Sequence, residues 1–94
     1  MSKITKSAQG EDCQVRIEGV CNFNNQTTVF AHLNGGGMGM KQKDLFGAYC
    51  CSSCHDEVDR RTRVYSSDYA KMCFYEGVFR TQQILIDKGL VKFY

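Results

Sequence analysis

The sequence predicts one α+β domain, ordered as a β-knuckle, a β-hairpin, a helix and a longer helix. Three observations carry that expectation. The run Thr27-Thr28-Val29-Phe30-Ala31-His32-Leu33 is β-branched and aromatic, the best strand in the chain. Cys51-Ser52-Ser53-Cys54 stands just ahead of helix-type sequence and is matched upstream by Cys13 and Cys21. Beyond Ser66, apolar residues recur at three- and four-residue steps, which marks one face of a long helix. With 94 residues and 43% hydrophobic content the chain has the apolar volume for one core, so residues 1–94 form a single domain.

Residues 1–12 are polar with little periodicity and read as a flexible arm. The start, Met1-Ser2-Lys3-Ile4-Thr5-Lys6, lacks the apolar core of a signal peptide, and no apolar run approaches the ~18–20 residues that cross a bilayer. A cytoplasmic protein with no membrane partner is expected. Between Cys13 and Cys21, Val15 and Ile17 alternate with Arg16 and Glu18, the period of a half-buried strand. Gly19 allows a tight turn that brings the two cysteines together. Residues 22–26 are turn-rich, with Asn24 and Asn25 tolerant of unusual backbone angles.

After the first strand comes Asn34-Gly35-Gly36-Gly37-Met38-Gly39, nearly bare of side chains and read as a mobile flap. It is no phosphate cradle, because it lacks the GxxxxGK[ST] pattern and no helix follows directly. The second strand is expected over 45–50. Ser52 or Ser53 caps the next helix, with Asp56 and Glu57 in its first turn at the positive end of the dipole. Ser66-Ser67-Asp68 opens the long helix by the same logic. Its apolar face is Ala70, Cys73, Phe74, Gly77, Val78, Thr81, Ile84 and Leu85, and Gly89 suits the left-handed residue that ends it. Residues 91–94 add a closing strand or stay loose. Phe23, Phe30, Phe46, Phe74 and Phe79 read as core, not as base-stacking platforms.

Six cysteines without an export signal favour metal thiolates over disulfides, because the cytosol is reducing. Cys51 and Cys54 can grip one Zn²⁺ while backbone amides of the turn satisfy their sulfurs. Cys13 and Cys21 complete a tetrahedral set, although their spacing is wider than in a usual zinc knuckle. Cys50 is an alternative to Cys51, and a redox reading of the CxxC pair needs a βαβ context absent here. Cys73 lies on the apolar helix face and reads as core. His55 and Asp59, four residues apart, share a helix face within reach of one divalent cation, or form a simple surface pair. His32 sits on the best strand. Asp44, at the entrance to the second, can accept a hydrogen bond from His32 and fix its tautomer, or stay a solvated turn residue. The net charge of +2 hides a basic cluster, Arg60, Arg61 and Arg63 with Lys41 and Lys43. These side chains reach phosphates or pair with Asp56, Glu57 or Asp68.

A family resemblance rests on Cys13-Gln14-Val15-Arg16-Ile17 with Gly19-Val20-Cys21, on Ala31-His32, on Asp44-Leu45 and on residues 51–62, CSSCHDEVDRRT. Tyr69-Ala70-Lys71 and Arg80-Thr81-Gln82 extend it into the long helix. The arrangement resembles the HNH, or ββα-metal, nuclease fold. Over nearly the whole chain it is similar to the YbcO-like family of small phage and prophage proteins described as nucleases. The resemblance implies a zinc-stabilised ββα-metal core acting on DNA in a bacterial host cell. It implies His32 as general base and Asp44 in the place of the middle asparagine. It further implies a catalytic Mg²⁺, or another divalent ion, on His55 and Asp59. Two departures matter: aspartate at position 44 can raise the pKa of the base, and Ala31 stands where many HNH nucleases place another ligand. The competing reading, from a different class, is a non-catalytic zinc-stabilised DNA-binding or recombination-accessory protein. A third is a redox or disulfide protein.

Overall fold

Val29, Phe30 and Ala31 do form a strand, shorter than the run that announces it. The computed structural model describes residues 3–32 and 46–91. Its elements are α1 (Lys3–Ser7), a 3-10 turn (Asn25–Thr27), β1 (Val29–His32), β2 (Gly47–Cys50), α2 (Ser52–Val58) and α3 (Ser67–Asp87). Hairpin, helix and long helix thus follow in the expected order. The glycine-rich segment 35–39, Lys41, Lys43, Asp44 and residues 92–94 lie outside the described residues.

β1 and β2 pair antiparallel, with Val29 opposite Cys50, Phe30 opposite Tyr49, Ala31 opposite Ala48 and His32 opposite Gly47. Side chains alternate between the faces of a sheet, so this register divides the core in two. Ala31, Ala48 and Cys50 face a cluster with Cys13, Val15, Ile17, Cys54, Phe74 and Val78. Phe30 and Tyr49 face the other way, onto Ala8 and Leu85. The outer edge of β2 is covered: the Tyr49 amide donates to Thr81 Oγ1 at 3.0 Å, and the Tyr49 carbonyl accepts from the Gln14 amide at 2.8 Å. That pairing removes an open strand edge, the usual liability of so small a sheet.

The long helix follows its pattern closely. Ala70, Cys73, Phe74, Gly77, Val78, Thr81 and Leu85 are buried, and the Ser66 hydroxyl accepts the Tyr69 amide at the N-cap. At the other end the Gly89 amide reaches Ile86 O and the Leu90 amide reaches Leu85 O, with Gly89 at φ +74°. Those two bonds make the Schellman closure that satisfies the last carbonyls. Gly77 has a separate task. A Cβ there would lie 2.8 Å from Val15 Cγ2 and 2.9 Å from Val15 Cα, so only glycine lets the helix approach the cysteine loop this closely.

Four expectations are corrected. Within the expected flexible arm, residues 1–12, the described residues 3–12 are not loose: Lys3–Ser7 is helical, Ala8 is buried, and Ser7 Oγ lies 2.6 Å from Tyr49 Oη. Ile4 and Ala8, four residues apart, join one apolar cluster, but two residues make too short a period to register in sequence. No strand forms between Cys13 and Cys21. Val15 and Ile17 are both buried, yet Arg16 between them sits at φ +51°, which bends the chain out of extended geometry. The N-cap of α2 is Cys51, not a serine, and Asp56 and Glu57 fall beyond the first turn. Finally, Phe23, Phe46 and Phe79 are exposed, whereas Phe30 and Phe74 are core. Composition counts aromatic residues but does not say which side of an element each occupies.

A Gly77→Ala protein is expected to lose about 1–2 kcal/mol, because overpacking costs ~1–3 kcal/mol and alanine recovers up to ~1 kcal/mol of helix propensity. Thermal unfolding with the metal site loaded measures it; a gain in Tm would show that the Val15 backbone yields freely.

Candidate functional site

Cys13, Cys21, Cys51 and Cys54 come from three separate places in the chain and are all buried. Their sulfurs lie within 4.8 Å of one another, and Cys21 Sγ and Cys51 Sγ are 3.8 Å apart. Bonded sulfurs would stand at ~2.05 Å, and all six cysteines are unbridged. A tetrahedron with Zn–S arms of ~2.3 Å has edges of roughly 3.8 Å. The group could therefore hold a metal such as zinc. Cys50 stands outside it, on β2, as a buried thiol hydrogen-bonded to Cys13.

Backbone amides meet two of the sulfurs. Arg16 donates to Cys13 at 3.5 Å and Cys54 donates to Cys51 at 3.4 Å. The backbone at Phe23 and at Ile17 likewise favours the thiolates of Cys21 and Cys54. Amides aimed at sulfur favour the thiolate, the form that binds metal. Among themselves the thiols share charge unevenly. Hydrogen bonds from Cys50 and Cys54 hold Cys13 well below the ordinary thiol range. The hydrogen bond to Cys13, then burial, pushes Cys54 up, and burial pushes Cys21 up to about 11. A cation at the centre relieves that competition, because it stabilises every thiolate at once.

Neighbouring side chains brace the turn. Asn22 Nδ2 donates to Ser52 Oγ at 3.0 Å and to Ser53 Oγ at 3.2 Å, while Thr27 Oγ1 accepts the Ser52 amide at 3.2 Å. The start of α2 is thereby tied to the segment after Cys21. Arg80 Nη1 donates to Gln14 O at 2.8 Å, fixing the cysteine loop to α3.

On α2, His55 Nε2 lies 3.2 Å from Asp59 Oδ2, and both side chains are partly exposed. The helix brings these two together as the four-residue spacing requires. His32 lies on β1. Its ring packs edge-on against Phe30, centroids 5.1 Å apart, on the face of the hairpin opposite Ala31, Ala48 and Cys50. Cys54 and Val58 of α2 join the Ala31 side. Asp44, Lys41 and Lys43 fall outside the described residues.

The arginines divide. Arg60, at φ +66°, turns inward: Nη2 donates to Tyr65 O at 3.1 Å and Nη1 lies 3.8 Å from Glu57 Oε2. Of the two expectations for Arg60, these contacts are those of a side chain paired with Glu57. Arg61 pairs with Asp56 at 3.1 Å on the surface, and Arg63 is exposed.

Glu57 is the buried group that sequence reasoning missed. It accepts from Thr62 Oγ1 at 2.6 Å, the Tyr65 amide at 2.8 Å and the Val64 amide at 3.1 Å. The Thr62 hydroxyl first, then these amides, hold its carboxyl below the usual carboxylate range. Glu57 thus anchors the segment that carries Arg60, Arg61 and Arg63. The only signal in sequence is an acid three residues after Cys54, on the helix face that carries Cys54.

Protein prepared under reducing conditions is expected to carry about one zinc per chain, and Cys21→Ser or Cys51→Ser to lose both zinc and cooperative unfolding. Cys73→Ala should keep the metal. Metal analysis together with thermal melts distinguishes these outcomes, and zinc retained by Cys51→Ser would exclude the four-sulfur site.

The family described as "Putative nuclease YbcO" matches residues 2–90. "Putative nuclease YbcO" of Escherichia coli (strain K12) is 47% identical over 95 residues, covering 98% of this chain and 99% of that protein. "Putative nuclease ybcO" of Enterobacteria phage 82 matches with the same identity and coverage. A solved structure of a "putative bacteriophage protein" from Escherichia coli str. K-12 substr. MG1655 is 46% identical, with a TM-score of 0.81. That match covers 92% of this chain and 99% of the other. The chain belongs to the YbcO family.

Proposed function

We propose that this protein is a metal-dependent DNA endonuclease of the ββα-metal type, of phage or prophage origin and acting in the bacterial host cell. The observation that carries the reading is the His55–Asp59 pair, 3.2 Å apart, on a helix that follows a hairpin and is tethered by two of four convergent cysteines. The family name, which describes its members as nucleases, supports it.

Hydrolysis of a phosphodiester needs a water placed in line with the leaving oxygen and relief of the charge that builds on phosphorus oxygens. Two ligands on an octahedral cation with ~2.1 Å arms stand roughly 3 Å apart, close to the separation of this pair. His55 and Asp59 would hold a Mg²⁺-like ion, which would supply Lewis-acid stabilisation of the scissile phosphate and the leaving 3′ oxygen. His32 is assigned the proton of the attacking water, a task suited to imidazole near neutral pH. Asp44 is assigned to orient that ring. The exposed Arg61 and Arg63, with Lys41 and Lys43, are assigned to backbone phosphates. The surface bond from Arg61 to Asp56 is weak enough to exchange for one. Zinc on the four cysteines does no chemistry in this scheme; it fixes α2 against the hairpin.

One observation favours a second reading, a zinc-stabilised DNA-binding or recombination-accessory module without catalysis. His32 packs on Phe30, away from the side of the hairpin that Cys54 and Val58 join.

Nicking of supercoiled plasmid in Mg²⁺ or Mn²⁺ separates the two. The endonuclease reading expects cleavage by the wild type and a loss of ~10²-fold or more in His32→Ala and in Asp59→Ala. Equal cleavage by wild type and His32→Ala would remove it. Salt-dependent DNA binding without cleavage in any metal establishes the accessory module instead.

A further inference from the structure

We infer that the cavity beside the cysteine cluster, lined by Asp12, Cys13, Arg16, Phe23 and Asn25, is a site for one unpaired nucleobase. The cavity holds about 270 Å³, just below the ~300–1,000 Å³ of pockets for drug-sized ligands and suited to one planar ring.

Phe23 is the first reason. It is 83% exposed and belongs to neither apolar cluster, so the fold gains nothing from its ring. Its backbone is held at φ +54°, a conformation that bulky side chains rarely adopt. The chain on both sides is fixed. The Asn24 amide donates to Asn22 Oδ1 at 2.8 Å, and Asn22 Nδ2 donates to Ser52 Oγ at 3.0 Å at the start of α2. A flat apolar ring on a pinned backbone stacks a base with little loss of freedom.

Arg16 is the second. It too sits at positive φ, with its amide on the Cys13 sulfur. Nε donates to Cys13 O at 3.2 Å and Nη2 to Gln14 Oε1 at 3.1 Å, which sets the guanidinium plane while the residue stays exposed. Guanidinium planes and aromatic rings are the two surfaces on which splayed bases stack. Asn25 and Asp12 offer an amide and a carboxylate to the edge of a base. The Asp12 carboxylate also disfavours a phosphate, which makes a base the fitting occupant.

This deepens the nuclease reading, taking from it only that nucleic acid is the ligand, and names a single-stranded or locally unpaired strand as the preferred form. The test is anisotropy with zinc-loaded protein and no added Mg²⁺ or Mn²⁺, using a short labelled DNA strand and its duplex. Wild type should prefer the single strand. Phe23→Ala should weaken single-strand binding about tenfold, leave duplex binding within ~2-fold, and leave zinc content and Tm unchanged; Phe23→Trp should retain tight binding. Unchanged single-strand affinity in Phe23→Ala, equal losses for both DNAs, or no wild-type preference for the single strand would each overturn the inference. Single-strand binding through Phe23 in a protein that never nicks plasmid supports this site and sinks the nuclease reading. Nicking with single-strand affinity unchanged in Phe23→Ala does the reverse.

Discussion

The mutual approach of four sulfurs governs this molecule. Cys21 and Cys51, thirty residues apart, stand at 3.8 Å, and Cys13 and Cys54 complete a group that thiolates cannot occupy together without a cation. That constraint joins a loop with no regular structure of its own to the end of the hairpin and the start of a seven-residue helix. None of these pieces is stable alone: a two-stranded hairpin is marginal in water, and a helix of two turns lies far below the ~12–15 residues of an isolated stable helix. Metal binding at such a site is coupled to folding, since the site does not exist in the open chain.

Around this centre the fold works by close approach more than by bulk. Gly77 lets α3 lie against Val15, Arg80 reaches Gln14 O, and Thr81 closes the outer edge of β2. Glu57 performs the corresponding task on the other side of α2. A carboxylate with no exposed surface is tolerated because a hydroxyl and two amides replace its water, with Arg60 nearby. The result is a rigid turn after α2 that leaves Arg61 and Arg63 at the surface.

The register of the hairpin sorts function as well as core. Ala31 and Cys50 look toward the cysteine cluster, while His32 shares its side with Phe30 and Tyr49. On α2, which carries His55 and Asp59, Cys54 and Val58 pack on the Ala31 side of the hairpin, whereas His32 lies with Phe30 on the other. The proposed endonuclease reading requires that His32 and this pair serve one phosphate.

Much of this was legible in the sequence, and for identifiable reasons. The long helix declares itself through a period of 3.6 sustained over six turns, with a serine before it and a glycine after it. The cysteine pairs and the spacing of His55 and Asp59 are properties of local geometry, so order along the chain suffices to propose them. What the sequence alone did not determine depends on contacts between distant segments. Alternation at Val15 and Ile17 looked like a strand because both residues are buried, but the amide of Arg16 turns toward the Cys13 sulfur and bends the chain instead. Ile4 and Ala8 looked like part of an arm until Tyr49 and Leu85 gave them a surface to cover. Glu57 reads as an ordinary helix acid until residues 62–65 fold over it. Periodicity and spacing are written within one element, whereas burial, the partner of a charge and the face that a ring occupies are settled only when elements meet.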